Sequence, residues 1–517
     1  MTFEIVFVLL SLLGMMAALI ADKMRPGMVL FSVVVLFLCV GILTPKEMLE
    51  GFSNKGMITV ALLFLVSEGI RQSGTLGQVI KKLLPQGKTT VFKAQLRILP
   101  SVAFISAFLN NTPVVVIFAP IIKHWAKSVK LTATKFLIPL SYVTILGGIC
   151  TLIGTSTNLV VHGMILEAGY EGFTMFELGK VGIFIAIAGI IYLFIFSKRL
   201  LPDARPDTAV PDEEVEEGEK LHRVEAVLGA RFPGINKKLS DFNFQRHYGA
   251  EVKEIKTRNG QRYVDHLEDV VLREGDTLVV MADDTFIPTW GESSVFVLLT
   301  NGNDPDTSGK KKRWLALILL VLMIVGATVG ELPATKEMFP DIKLDMFFFV
   351  CITTIIMAWT NIFPARKYTK YISWDILITI ACAFAISKAM VNSGVADCVA
   401  GFIIGLSDDY GPHVLLAILF VITNLFTELI TNNAAAALAF PLALSISAQL
   451  GVSPTPFFVV ICMAASASFS TPIGYQTNLI VQGIGNYKFT DFVRIGLPLN
   501  IITFLISVIL IPLIWNF

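Results

Sequence analysis

The chain has 517 residues, of which 54% are hydrophobic and only 16% charged, and its mean hydropathy is +0.70. Soluble domains carry about 25% charged residues, so the composition excludes an ordinary soluble globular protein. The net charge of +1 gives no signal for a polyanionic partner such as nucleic acid.

Apolar stretches fall near 3–21, 27–44, 57–79, 94–122, 136–166 and 178–197. After a polar insert they resume near 314–331, 342–361, 372–393, 411–447, 455–485 and 494–516. Many reach the ~20 residues that cross a bilayer as a helix, so an all-α polytopic membrane protein is expected. The first run lacks a basic leading region and a convincing cleavage site and is read as a span, not a signal peptide. Six cysteines are scattered through mostly apolar segments without metal spacing, and read as small hydrophobes.

Lysine and arginine set the orientation. Lys81, Lys82, Lys88, Lys93 and Arg97 precede the end of segment 94–122, and Lys123, Lys127, Lys130 and Lys135 follow it. Both flanks are expected in the cytoplasm, which makes this segment a re-entrant hairpin. Glu167, Glu171 and Glu177 mark an outer loop, and Lys198, Arg199 and Arg205 return to the inside. In the second half Lys310–Arg313 and Arg366, Lys367 and Lys370 lie inside, and no Lys or Arg occurs from Ala389 to Tyr487. Segment 411–447, preceded by Asp408 and Asp409, is therefore expected as a second hairpin that opens from the outside. One hairpin from each face is the pattern of inverted repeats.

Residues 204–308 separate membrane halves 1–203 and 309–517. The run DEEVEEGEK reads as an acidic linker and NDPDTSGKKK as an exit linker. Between them, residues 239–263 alternate toward a strand. VVLREGDTLVVMAD reads as strand–turn–strand about Glu274-Gly275-Asp276. A small soluble α/β insert in a cytoplasmic loop is expected.

Polar clusters interrupt both hairpins. Asn110-Asn111-Thr112 and Thr431-Asn432-Asn433 are each followed by a proline, Pro120 and Pro441. The next span in each half carries a second interruption, Gly154-Thr155-Ser156-Thr157-Asn158 and Gly474-Tyr475-Gln476-Thr477-Asn478. The offset from Asn110 to Thr431 matches that from Gly154 to Gly474 to within a single position, which argues for duplication. Lipid offers amides no partners, so such groups at membrane depth have a purpose. Glycine and hydroxyls let a helix unwind. The freed carbonyls and Asn oxygens suit a hard monovalent cation, and half-helix N-termini suit an anion. Asn111 and Gly154, with Thr155 and Asn158, are expected to form one cation site, and Asn432, Gly474 and Asn478 the other. Asn110, Thr112, Ser156, Thr431, Asn433, Tyr475 and Gln476 complete the expected anion-binding set, in which Asn111, Thr155 and Asn432 also take part. The pattern points to a secondary transporter for a small anion. No nucleotide fingerprint, catalytic triad or metal-ligand spacing suggests an enzyme.

The paired motifs, the hairpins and the GTSTN and GYQTN interruptions resemble the divalent anion/sodium symporter family. The resemblance covers both membrane halves. It implies Na⁺ as coupling ion, an elevator motion and a homodimer. The family signature is Ser-Asn-Thr at each tip; here the central Asn is kept and the flanks differ. Dicarboxylate carriers commonly have Thr-Pro-Pro-Asn after the glycine, where this chain has Thr-Ser-Thr-Asn and Tyr-Gln-Thr-Asn. The resemblance is thus nearer to a sulfate-carrier branch. Residues 218–287 are similar to the C-terminal regulatory module of TrkA potassium-uptake proteins (RCK_C), which implies a small-ligand regulator. Dicarboxylate uptake, Na⁺/H⁺ exchange by the same fold, and a channel or sensor remain alternatives. Glu68, Asp375 and Glu428 lie in or near spans and are candidates for a cation, a proton or a structural bond. His162 reads as a helix contact.

Overall fold

The structure is a computed structural model. It describes residues 3–21, 23–85, 87–203, 222–229, 231–257, 261–283, 286, 290, 295–300, 310–339, 341–405 and 411–517. The acidic linker, most of the exit linker, and Asp408 and Asp409 lie outside them.

Eight helices among the described residues are long and apolar enough to cross a membrane. The first half runs Phe3–Ala21, Pro26–Val40, Lys55–Gln72, Thr75–Leu83, Val91–Ser106, Asn111–Ser128, Leu137–Gly148, Ser156–Glu167 and Gly179–Leu200. The second runs Lys310–Gly330, Met346–Trp359, Trp374–Asn392, Val395–Gly405, Gly411–Leu429, Asn432–Leu450, Thr455–Ser466, Gln476–Gly485 and Phe489–Ile514. The order is the same. The helix starts Pro26 and Met346, and likewise Thr75 and Val395, are separated by the same offset as Gly154 and Gly474.

Both expected hairpins are present as helix pairs, Val91–Ser106 with Asn111–Ser128 and Gly411–Leu429 with Asn432–Leu450. Both expected interruptions break a span in two, between Gly148 and Ser156 and between Ser466 and Gln476. One expectation is corrected. Stretch 57–79 is two helices, because Gly74 takes φ +71°, a left-handed value that only glycine adopts freely, and ends the first. Gly394, at φ +76°, does the same in the second half and starts Val395–Gly405, a helix that the apolar stretches did not show.

Every residue of Leu137–Gly148 is buried, as are nearly all of Asn432–Leu450 and Thr455–Ser466. By contrast, Leu10, Ile187, Ile191, Leu322 and Ile509 stand exposed on the long single helices. The broken spans and the second hairpin's helix Asn432–Leu450 thus form the interior, while long single helices such as Phe3–Ala21, Gly179–Leu200 and Phe489–Ile514, and the outer faces of the hairpins at Phe104 and Leu425, present apolar side chains to lipid. Small residues set the interior spacing. Gly147 lies directly against the Ala103 carbonyl of the first hairpin, and any side chain there would displace it.

The insert is a five-stranded antiparallel sheet of β1 (His222–Leu228), β2 (Glu251–Lys256), β3 (Arg262–Tyr263), β4 (Thr277–Ala282) and β5 (Phe296–Thr300), ordered β3-β2-β4-β1-β5. Two expectations change here. Residues 239–248 form a 3-10 turn and the short helix Phe244–Tyr248, not a strand. The arm before Glu274-Gly275-Asp276 makes only an isolated bridge from Val271 to Lys238. The turn itself holds: Gly275 has φ +85°, and Asp276 Oδ2 accepts from the Arg273 N–H at 2.7 Å.

Strand alternation explains where the sheet sits. Val224, Ala226 and Leu228 face an aromatic core with Phe232, Phe244, Tyr248 and Phe296. Glu225 and Val227 face the other way. Val227 joins the core of the membrane helices, and Glu225 accepts from Lys123 Nζ of the first hairpin at 2.9 Å. Arg231 donates to the Ile372 carbonyl at 3.2 Å and Asn236 to the Lys23 carbonyl at 3.4 Å. Gly275 packs on Leu479, and Gly483 on Thr277. The insert therefore rests on the half-helix Gln476–Gly485.

Candidate functional site

Matching bonds organise each hairpin tip and the break in its own half, and one of them, from Thr151 or Thr471, joins the two. Ser106 Oγ donates to Asn111 Oδ1 at 2.9 Å, and Thr427 Oγ1 to Asn432 Oδ1 at 2.7 Å. Thr151 Oγ1 donates to the Ala107 carbonyl, and Thr471 Oγ1 to the Glu428 carbonyl at 3.1 Å. The same two hydroxyls accept from Gly154 N–H at 3.1 Å and Gly474 N–H at 3.3 Å. Asn158 Nδ2 donates to the Thr151 carbonyl at 2.9 Å; Asn478 Nδ2 donates to the Thr471 carbonyl at 3.1 Å. In each comparison the partners are separated by the offset of the motifs, to within a single position. None of these hydroxyls was singled out from sequence, although Ser106 with Thr427 and Thr151 with Thr471 repeat that offset.

The two cradles differ at the asparagine of the break. Asn158 Oδ1 is buried and has no hydrogen-bond partner among the described residues. Asn478 Oδ1 instead accepts from Ser141 Oγ at 2.7 Å. Glycine closes the first cradle: a Cβ at Gly148 would stand 2.7 Å from Asn111 Oδ1, and one at Gly154 would stand 2.5 Å from the Gly148 carbonyl. A Cβ at Gly474 would meet Ser468 Oγ and lie 2.7 Å from the Thr427 carbonyl. Amide, hydroxyl and carbonyl oxygens without a formal charge thus line both cradles. An unpartnered buried oxygen is costly, at about 1–3 kcal/mol, and is understandable where a cation completes it. Such hard, neutral donors suit Na⁺.

The halves meet through the half-helix N-termini. Thr155 and Tyr475 are the N-cap residues of Ser156–Glu167 and Gln476–Gly485, both extended, and neither side chain caps its own helix. First-turn N–H groups with no side-chain cap, at the positive end of the helix dipole, have the chemistry to receive an anion. Thr155 Oγ1 and Tyr475 Oη lie 3.0 Å apart. Asn111 Nδ2 donates to Tyr475 Oη at 3.0 Å. Thr112 Oγ1 donates to Gln476 Oε1 at 3.2 Å. Ser156 Oγ and Thr157 Oγ1 reach Asn433 Oδ1 at 3.4 and 3.3 Å. Both hairpin tips and both breaks therefore converge on one place.

Three expected ligands sit differently. Asn110 borders a small cavity of about 10 Å³ with Ser156, Phe108 and the frame residues Ser67, Leu320 and Met323. Thr431 Oγ1 accepts from the Ala434 N–H at 3.4 Å, which caps the helix Asn432–Leu450. Thr155 turns its hydroxyl to Tyr475 and away from the first cradle. Among the acids, Glu428 accepts from the Ser470 N–H at 2.8 Å and from Asn500 Nδ2 at 2.7 Å, bracing the second break. Glu68 pairs with Arg71, and Asp375 accepts from the Gly27 backbone. His162 packs against Gly172, its Nδ1 buried and unpartnered among the described residues.

A polytopic bundle in which paired hairpins and broken helices hold oxygen cradles and facing helix N-termini defines an integral membrane transporter. The chain belongs to the citrate transporter (CitMHS) family, whose model matches residues 16–446 and again 338–517. An uncharacterized transporter of Synechocystis is 29% identical over 94% of this chain and 93% of its own length. Sodium/sulfate cotransporter 2 of Chlamydomonas reinhardtii is 30% identical over 54% of this chain and 31% of its own. The sodium-dependent dicarboxylate transporter SdcS of Staphylococcus saprophyticus is 25% identical over 28% of each.

Proposed function

We propose that the protein is a Na⁺-coupled symporter of a small divalent oxyanion, sulfate before others. The observation that carries the reading is the unpartnered Asn158 Oδ1, buried in a cradle of neutral oxygens beside two facing helix N-termini. Na⁺ held by Asn111, Gly154 and Asn158, and by Asn432, Gly474 and Asn478, fixes the tips against the breaks. The N–H groups after Thr155 and Tyr475, with Thr112, Ser156 and Asn433, then receive the anion. The likeness to sodium/sulfate cotransporters supports this. Neutral donors fit the task, since a buried Arg holds a divalent anion too firmly to release it.

The coupling has a physical basis. Each cradle spans a tip and a break, so an empty cradle leaves the tip free to shift and a filled one locks the anion site. Transport then needs both ligands to bind before the core elements move together across the frame. In this reading the protein acts as a homodimer, with the insert in the cytoplasm. Contacts of the insert with Lys123 and with Ile372, close after Lys370, both on the side that the basic residues assign to the cytoplasm, support the placement. The insert acts as a ligand-responsive regulator of the RCK_C kind.

Uptake of sulfate, succinate and citrate into proteoliposomes, with and without a Na⁺ gradient, tests the proposal. Sulfate uptake that collapses without Na⁺ is expected. Na⁺-driven uptake of succinate alone would replace it with a dicarboxylate carrier of the same fold.

A further inference from the structure

We propose that Tyr475 sets the size limit of the anion site: its phenol walls the space beside the opposite hairpin tip and restricts the ligand to a compact oxyanion. This rests on the transport reading above and deepens it.

The two breaks are built alike. Gly154 and Gly474, Thr157 and Thr477, and Asn158 and Asn478 are identical pairs at the same offset. At the N-cap the match fails, with Thr155 in one half and Tyr475 in the other. Ser156 is likewise matched by the longer Gln476, so a repeat that keeps the glycine, Thr157 with Thr477, and the asparagine has replaced two small residues at its helix start by large ones, and has filled volume on one side of its pseudo-axis.

The place filled is the centre. Tyr475 is 9% exposed, and its hydroxyl bonds Asn111 Nδ2 and Thr155 Oγ1. Those two groups come from the tip and the N-cap of the opposite half. The phenol oxygen therefore stands within reach of the donors that an anion oxygen would use. The cavity nearby, between Asn110 and Ser156, is only about 10 Å³, room for a single water at most. A tetrahedral oxyanion needs one compact opening, with the Tyr475 O–H as an additional donor to it. A dicarboxylate must place a second carboxylate a chain's length from the first, and the buried ring takes up volume beside the donors that would hold the first. With Thr at this position, as in the first half, the wall is gone.

Competition against radiolabelled sulfate binding by purified protein in Na⁺ tests this, with succinate and selenate as competitors. Wild type is expected to discriminate against succinate. Tyr475→Thr is expected to bring succinate at least about tenfold closer to sulfate in potency. Tyr475→Phe keeps the wall and is expected to keep the discrimination, while sulfate binds about tenfold more weakly for want of one hydrogen bond to a charge. Tyr475→Thr that binds sulfate and rejects succinate as strictly as wild type overturns the assignment. Should that variant lose sulfate, Na⁺-dependent thermal stabilisation by succinate replaces the readout: its appearance supports the assignment and its absence overturns it. If wild type binds diacids and no sulfate, the parent reading fails. The size limit is then judged by whether Tyr475→Thr lengthens the longest diacid bound.

Discussion

Gly483→Ala is predicted to loosen the insert from the membrane core. The half-helix Gln476–Gly485 carries Asn478 near one end and Leu479 and Gly483 against the insert. A Cβ at Gly483 would stand 2.5 Å from Thr277 Oγ1, closer than real Cβ contacts come. Thr277 is fully buried in β4, between β1 and β2, and has no room to retreat. Overpacking of this kind costs about 1–3 kcal/mol. Replacing a helical glycine by alanine returns up to about 1 kcal/mol. The net effect is up to about 2 kcal/mol against the docked state after that return, a factor of up to roughly 30 in the docking equilibrium. Hydrogen exchange of the β1 and β4 amides in nanodiscs is expected to speed up accordingly. The double variant Gly483→Ala with Thr277→Ala is expected to recover. Thr277 Oγ1 has no hydrogen bond to lose among the described residues, and the Thr277 Cβ is 3.8 Å away, an ordinary contact. Exchange slowed in the single variant, as helix propensity alone dictates, would refute the packing argument.

Glu225 gives a second handle on the same interface. Burial alone would raise its carboxyl, but Lys123 and Lys256 outweigh it and hold the group at about 2. A lowered folded value stabilises docking above the ordinary carboxylate range and is lost only as pH falls toward 2. Protease sensitivity of the insert is therefore expected to be flat from pH 5 to 8 in wild type, and raised throughout that range in Glu225→Gln, which removes the charge that faces Lys123 across the interface. A wild-type transition near neutral pH would contradict this. Asn158→Ala is expected to raise the Na⁺ concentration for half-maximal sulfate uptake at least about tenfold, since it removes an oxygen with no other partner among the described residues. Asn111→Ala and Asn432→Ala are expected to shift the same quantity, and an unchanged value in all three would remove the cradles from Na⁺ binding. Gly148→Ala, whose Cβ points at Asn111 Oδ1, is expected to weaken Na⁺ dependence without changing the amount of folded protein, measured by size-exclusion profile.

The hairpins and breaks were legible because lipid makes a polar cluster conspicuous, and because duplication wrote each one twice. Val395–Gly405 was missed because it is short and follows Gly394 without a polar gap. Strand β1 was hidden by its own alternation: Arg223 and Glu225 look like a solvent face, yet Glu225 is spent on Lys123 of the membrane core. Tyr475 was recognised as a site residue, but its place against the opposite hairpin tip was not. Local pattern carries no distance between positions 111 and 475, and only the folded chain brings them to 3.0 Å.

The central claim is that these neutral oxygens and helix N-termini hold Na⁺ and an oxyanion together. Equilibrium binding of radiolabelled sulfate to the purified protein, in Na⁺ and then in choline at equal ionic strength, tests it most directly. The account predicts saturable binding in Na⁺ that is lost in choline. Equally tight binding in both would contradict it.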